Sequence, residues 1–137
     1  MGYTAGVFDL FHVGHLNALR VAAGLCDVLV AGVVSDEVCE AVKGVRPYVP
    51  LAERLEIVDA IGVVDAVYAE ISADKSEAWR AVGFHRLFKG DDWQGTAKGH
   101  ALTRQMDGLG VEVVWFPYTL TTSSTALRSV IDAAIVG

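Results

Sequence analysis

Short apolar runs alternate along the chain with longer segments whose apolar residues recur at helical spacing. Residues 28–34 are apolar throughout and rich in valine, which is typical of a strand buried on both faces. Residues 15–25 instead carry leucine or alanine three positions apart, as one face of an amphipathic helix does. The whole pattern predicts strands at 3–8, 28–34, 63–69, 84–89 and 111–116, and helices at 15–25, 51–61, 75–82, 96–106 and 124–135. A further helix is predicted directly after Ser35, whose hydroxyl is a plausible N-cap.

Strands that alternate with helices predict right-handed crossovers and a parallel sheet covered on both faces. We therefore expect the α/β class, with a Rossmann-like, doubly wound parallel sheet in a single domain over residues 1–137. Ligands of such sheets bind beyond the carboxyl ends of the strands, at the point where the strand order reverses. This places candidate site residues in the loops at 9–14, 35–36, 90–95 and 117–123.

Composition narrows the classes of partner. The 137 residues are 53% hydrophobic and 20% charged, as expected for one folded domain, and the net charge of −6 with no basic run argues against nucleic acid. No apolar run is long enough for a membrane span, and no basic segment followed by an apolar one resembles a secretory signal. Cys26 and Cys39 form neither a disulfide framework nor a zinc motif. We expect a cytoplasmic protein with no nucleic-acid or membrane partner.

The segment GVFDLFHVGH at 6–15 carries the clearest chemistry. His12 precedes the first predicted helix and His15 lies in its first turn, and side chains three positions apart share one side of a helix. Gly14 lacks a Cβ where a phosphate chain would approach the backbone, and the free N–H groups of the helix terminus favour an anion. The segment therefore predicts an anion site with two imidazole donors. A metal pair, with Asp9 as the obvious third ligand, and two unrelated surface histidines are the alternatives. The sequence lacks the GxGxxG, GxxxxGK[ST] and GxSxG motifs.

The chain resembles the cytidylyltransferase-like nucleotidyltransferases, and among them the glycerol-3-phosphate cytidylyltransferase group, over nearly its whole length. GVFDLFHVGH is similar to the family signature G-x-F-D-x-x-H-x-G-H, and SDE at 35–37, KG at 43–44 and ER at 53–54 resemble the middle section. GDDWQG at 90–95 resembles the GDDW segment of the glycerol-3-phosphate branch, and TSST at 122–125 stands where the family has I-S-T-T. The family's R-T-E-G is replaced here by residues 118–121, YTLT, so that Tyr118 stands where a phosphate-binding arginine is expected. Lys98, Arg104 and Arg128 are candidates to replace that arginine.

The resemblance implies transfer of CMP from CTP to a phosphorylated small alcohol, glycerol 3-phosphate being favoured, with release of pyrophosphate and formation of a CDP-alcohol. It also implies Mg²⁺ travelling with the nucleoside triphosphate, and a homodimer. Catalytic roles fall on His12, His15 and Lys43. Nucleotide contacts fall on Val7, Phe8, Asp9, Gly14, Asp92, Thr119, Ser123, Ser124 and Thr125. Acceptor contacts fall on Lys43, Arg54, Trp93 and Tyr118.

Several of these residues have structural alternatives. Lys43 could instead be an ordinary solvated lysine, and Arg54 could form a helix-surface salt bridge with Glu53 or its neighbours. Asp92 and Trp93 could form a capped turn with a core tryptophan. The acceptor could instead be phosphoethanolamine, phosphocholine, a sugar phosphate or a phosphonate. An adenylyltransferase on the same fold, such as one making FAD, and a nucleotide-binding sensor without turnover are the rival functions, and a metal-dependent protein using the two histidines is a third.

Overall fold

The computed structural model describes residues 1–117 and 124–136. Its strands are β1 (Gly2–Gly6), β2 (Leu29–Val34), β3 (Ala66–Glu70), β4 (Arg86–Gly90) and β5 (Glu112–Phe116). Its helices are α1 (Val13–Ala23), α2 (Asp36–Lys43), α3 (Leu51–Asp59), α4 (Lys75–Val82), α5 (Ala97–Gly108) and α6 (Ser124–Val136). Every predicted strand and helix is present, with ends displaced by a few residues. A short 3-10 helix at Asp91–Trp93 was not predicted.

The five strands form one parallel sheet in the order β3-β2-β1-β4-β5. Strand β1 lies in the middle, where Tyr3 pairs with Val30 of β2 on one side and with Leu87 of β4 on the other. The chain winds outward from β1 in one direction and returns to start again at β4. This confirms the doubly wound, Rossmann-like sheet, and it places the reversal of strand order between β1 and β4.

Each face of the sheet has its own hydrophobic core. On one face, α1 and α3 pack on β2 and β4 through residues such as Leu19, Val58 and Phe88. On the other face, α4 and α5 cover Tyr3, whose ring stacks on Phe84 with 4.6 Å between centroids. No helix in the described part of the chain combines the length and the apolar composition that crossing a bilayer requires.

Strand β1 ends earlier than the predicted 3–8. Phe8 and Leu10 have φ values of 54° and 51°, so the chain turns through the left-handed region between Gly6 and α1. Residues other than glycine adopt this conformation at a cost of about 1–3 kcal/mol, and such residues are enriched at active sites and ligand-binding loops. The strained loop therefore marks the carboxyl end of the central strand as a candidate site.

Candidate active site

The two histidines of the first loop cap α1 and hold each other in place. His12 is the N-cap, and its Nδ1 accepts the backbone N–H of Gly14 at 3.0 Å. The backbone N–H of His12 in turn donates to Nδ1 of His15 at 3.1 Å. The imidazole centroids lie 4.0 Å apart, and the His15 ring also contacts the rings of Phe8 and Phe11. The structure thus brings His12, Gly14 and His15 together as a reciprocal capping box.

This capping box also fixes the proton positions on both rings. A nitrogen that accepts a hydrogen bond carries no proton, so each neutral imidazole has its proton on Nε2. Burial lowers the pKa of His15 to about 4, with a further lowering from His12 and Lys43 and an opposing effect of Asp9. Burial also lowers the pKa of His12. Both rings are therefore neutral at pH 7 and present Nε2–H as a hydrogen-bond donor.

Asp9 joins three separate segments beside the histidines. It is buried, and its carboxylate oxygens accept the backbone N–H groups of Tyr48 and Val49 at 2.8 and 2.9 Å. Arg128 of α6 forms an ion pair with the same carboxylate at 2.9 Å, and its guanidinium lies 4.2 Å from the centroid of the Tyr48 ring. Asp9 consequently fixes the end of the loop at 44–50 and docks α6 onto it. This geometry favours holding a backbone turn as the role of Asp9.

Arg54 lies on α3 and is fully buried. Its Nη1 donates to the carbonyls of Val7 and Val34, each at 2.7 Å, and its Nε to the carbonyl of Val49 at 2.8 Å. An ion pair between Nη2 and Asp36 completes the set. The guanidinium therefore ties together the ends of β1 and β2, the start of α2 and the end of the 44–50 loop. The structure favours this structural role over the acceptor contact that the resemblance implies, and also over a surface salt bridge with Glu53.

Lys43, Asp92 and Trp93 lie around the same edge of the sheet. Lys43 is the exposed last residue of α2, and its charge acts on His15 from the side of that helix. Asp92 and Trp93 belong to the 3-10 helix that directly follows β4, with Asp92 exposed and Trp93 half-buried. These positions agree with a ligand that crosses the β1–β4 junction from the histidines toward Trp93.

Lys89 is a residue of this edge that the sequence analysis did not single out. It is half-buried near the end of β4, and its Nζ lies 4.0 Å from the centroid of the Trp93 ring. Burial lowers the pKa of Lys89, as do the charges of Lys75 and Lys43, whereas the carboxylates of Asp92 and Glu70 raise it. A signal was available, because Lys89 ends the predicted strand 84–89 at the carboxyl edge.

Some expected site residues cannot be placed. Tyr118, Thr119 and Ser123 lie outside the described residues. Ser124 and Thr125 begin α6, and their side chains are not described.

The sequence model of the cytidylyltransferase-like family matches residues 3–129, nearly the whole of the domain just described. The chain belongs to this family. It is 32% identical over 135 residues to the FAD synthase of Pyrococcus horikoshii, an alignment that covers 93% of this chain and 86% of that protein. Among solved structures, a lipopolysaccharide core biosynthesis protein from Thermoplasma volcanium matches with a TM-score of 0.74 at 25% identity, covering 88% of this chain and 97% of that one.

Two longer relatives of this cytidylyltransferase-like chain match over a small part of their own length. The ethanolamine-phosphate cytidylyltransferase of Arabidopsis thaliana is 52% identical over 68 residues, which are 50% of this chain and 16% of that protein. The bifunctional protein HldE of Desulfatibacillum aliphaticivorans is 36% identical over 126 residues, which are 90% of this chain and 25% of that protein. The chain thus spans a quarter or less of either relative.

The resemblance to this family implied Mg²⁺, an ion that is coordinated by oxygen atoms of carboxylates, phosphates and water. Within residues 1–117 and 124–136, no three His, Cys, Asp or Glu side chains form a group that could hold a metal ion. Mg²⁺ that travels with a nucleoside triphosphate is held mainly by phosphate oxygens and water and does not require such a group. The described residues supply no third ligand for a metal pair on His12 and His15.

Proposed function

We propose that this protein transfers CMP from CTP to a phosphorylated small alcohol, with glycerol 3-phosphate as the favoured acceptor, and releases pyrophosphate. The observation that carries the proposal is the pair of neutral imidazoles whose proton positions are fixed by the α1 capping box. Two N–H donors at a helix N-terminus suit the oxygen atoms of a phosphate chain. The GDDW segment at 90–93, next to the carboxyl end of β4, supports glycerol 3-phosphate.

The proposed reaction requires positioning more than proton transfer. An oxygen of the acceptor phosphate attacks the α-phosphorus of CTP, a new P–O bond forms, and the bond to the β-phosphate oxygen breaks with pyrophosphate leaving. A phosphate monoester is nucleophilic at neutral pH, so that alignment and stabilisation of negative charge can supply the catalysis. His12 and His15 would donate from Nε2 to phosphate oxygens, and Lys43 would neutralise charge from the exposed end of α2. Mg²⁺ bound to the triphosphate would offset part of the developing charge.

Adenylyl transfer to FMN is the second candidate. The FAD synthase of Pyrococcus horikoshii matches along 86% of its own length, whereas the ethanolamine-phosphate cytidylyltransferase matches along 16% of its length. The same imidazole pair would serve either nucleotide, because in both reactions it would contact phosphates and not the base.

A pyrophosphate-release assay with Mg²⁺ tests both candidates. CTP, ATP, GTP and UTP are each combined with glycerol 3-phosphate, phosphoethanolamine, phosphocholine, a sugar phosphate, a phosphonate and FMN. We expect release with CTP and glycerol 3-phosphate. Release with CTP and another acceptor would keep the reaction and change the substrate, and release with ATP and FMN would favour FAD synthesis. Nucleotide binding without release for any pair would contradict the transferase and favour a sensor.

The homodimer is also a proposal, supported by the family resemblance alone. Sedimentation at micromolar concentration tests it, with twice the monomer mass as the expected result and the monomer mass as the contradicting one.

A further inference from the structure

All four lysines of the chain lie at the carboxyl edge of the sheet. Lys43 ends α2, Lys75 begins α4 directly after β3, Lys89 lies near the end of β4, and Lys98 is in the first turn of α5. The protein as a whole carries a net charge of −6. The lysines are therefore concentrated at one edge of an acidic protein, where they alternate with carboxylates such as those of Asp36, Glu70 and Asp92.

Two of these lysines share Trp93. Lys89 Nζ lies 4.0 Å and Lys98 Nζ 5.6 Å from the centroid of the Trp93 ring. The main chain of Trp93 is held firmly, because its carbonyl accepts the hydroxyl of Thr96 at 2.6 Å. Gly99 packs so closely against it that a Cβ there would lie 2.0 Å from the same oxygen. The main chain of Trp93 is therefore restrained, and its side chain packs against the core on this face of the sheet.

Three other cations of this edge have carboxylate partners, whereas Lys43, Lys89 and Lys98 form no ion pair within the described residues. Lys75 is paired with Glu70, and Arg54 and Arg128 are paired with Asp36 and Asp9. Within residues 1–117 and 124–136, neither Lys89 nor Lys98 has a carboxylate within 4.0 Å. Lys98 is exposed, whereas Lys89 is half-buried and only the more distant carboxylates of Asp92 and Glu70 offset its charge. Burial of an ammonium without an ion pair is costly, and an anionic ligand would reduce that cost.

We propose that Lys89, packed on the Trp93 ring, binds a phosphoryl group of a substrate at the β4 side of the site, with Lys98 as a second cation beside the same ring. Strand register places Lys89 one residue beyond the Thr4–Phe88 pair, hence beside Ala5 and next to the loop that carries the histidines. A phosphoryl group held there lies across the β1–β4 junction from the α1 capping box. The two lysines therefore extend the anion site from the histidine side to the opposite side of the crevice.

This inference rests on the proposed function for the identity of the molecule that carries the phosphoryl group. That molecule is either the acceptor or the nucleoside triphosphate. Both have the same chemistry, a multiply charged phosphate that accepts hydrogen bonds from ammonium groups. A binding experiment distinguishes the two molecules, because glycerol 3-phosphate carries the acceptor phosphate, whereas CTP and pyrophosphate carry the phosphates of the nucleotide.

The test measures binding by isothermal titration calorimetry for the wild type, Lys89→Met, Lys98→Met and Lys89→Arg. The injected ligands are CTP, pyrophosphate and glycerol 3-phosphate. Arg86→Met is the matched control, because Arg86 is a cation at the opposite end of the same strand, where it contacts the Leu25 carbonyl and Glu112. A charged hydrogen bond is worth about 1.5–3 kcal/mol, which corresponds to about a 10- to 150-fold change in Kd.

We expect Lys89→Met to weaken at least one phosphorylated ligand by about tenfold or more, Lys98→Met to weaken the same ligand by less, and Lys89→Arg to restore it. A selective effect on glycerol 3-phosphate assigns the acceptor phosphate, and one on CTP and pyrophosphate assigns the nucleotide. Equal affinities in Lys89→Met and Arg86→Met, or no binding of any of the three ligands to the wild type, would overturn the inference. Weakened pyrophosphate binding in a protein that releases no pyrophosphate from any substrate pair would support the inference and contradict the proposed function.

Discussion

Arg54 and Lys89 are two cations at the same edge of the sheet, and their surroundings are opposite. Arg54 is fully buried under β1 and β2, and its guanidinium is bonded to three main-chain carbonyls and the carboxylate of Asp36. Lys89 is half-buried beside Trp93 and contacts the face of the indole ring. The bonds of Arg54 end on protein atoms, whereas the ammonium of Lys89 retains donors for a ligand. A cation of the first kind stabilises the site, and one of the second kind can bind substrate.

The largest effect that follows from this contrast is on stability. Arg54→Met should lower the free energy of unfolding by about 3–5 kcal/mol, because it leaves three carbonyls without donors and Asp36 with only the 3.9 Å contact of Arg46. Urea unfolding at pH 7 measures the change. Arg46→Met is the control, since Arg46 is half-exposed and pairs with Glu40, Glu37 and, at 3.9 Å, the same Asp36, and exposed pairs contribute about 0–1 kcal/mol. Equal losses in the two variants would contradict the contrast.

The next largest effect is expected at His15, where the capping role of the side chain can be separated from its proposed role as a phosphate donor. Its Nδ1 caps the backbone of His12, and its Nε2–H is the donor proposed for phosphate. In His15→Asn the side-chain oxygen can still accept the His12 N–H, whereas His15→Ala loses the cap as well as the donor. Both variants should lower kcat by about 10²–10³, the usual effect of losing one oriented donor.

The two His15 variants lose the same contacts with Phe8 and Phe11, so their difference in stability isolates the cap. We expect His15→Asn to be more stable than His15→Ala by about 1 kcal/mol in urea unfolding. Retention of full activity in His15→Asn would show that the Nε2 donor is not used. Equal stabilities would show that the capping bond contributes nothing.

The sequence predicted the strands, the helices and the histidine motif because each depends on local pattern. It did not predict the burial of Arg54, although the signal was present: Arg54 stands three residues after Leu51 and four before Val58, in the apolar stripe of α3. The sequence could not show what Arg54 binds there, because the carbonyls of Val7 and Val34 come close to it only in the folded protein. Likewise, the packing of Lys89 on Trp93 depends on the unpredicted 3-10 helix, and the docking of Arg128 on Asp9 joins residues far apart in the chain.

The pH dependence of stability offers a smaller effect with a definite sign. The pKa of His15 is lowered to about 4 in the folded protein, from an ordinary value of 6.5. Between these values the unfolded chain binds more protons, so stability falls as the pH is lowered from about 6.5 toward 4. His15 alone should remove about 2 kcal/mol between pH 7 and pH 5. Urea unfolding at both pH values should show a smaller fall for His15→Asn than for the wild type, and equal falls would contradict the lowered pKa.

The smallest expected effect concerns Arg128, which connects α6 to the loop at 44–50. Its Nη2 bonds to Asp9 at 2.9 Å and to the Arg46 carbonyl at 3.1 Å, and its guanidinium stacks on Tyr48. Asp9 keeps its two backbone donors in Arg128→Met, so we expect the free energy of unfolding to fall by only about 1 kcal/mol.

The sensitive measurement is amide hydrogen exchange at Tyr48 and Val49, whose N–H groups donate to Asp9. Exchange at these amides should accelerate about fivefold, because about 1 kcal/mol of local protection is lost, and Arg20→Met, a cation at the far end of α1, should leave it unchanged. The loop at 44–50 begins directly after Lys43, so faster exchange accompanied by a raised KM and a constant kcat would show that Arg128 positions the binding loop. Unchanged exchange would show that the Arg128–Asp9 pair does not stabilise this loop.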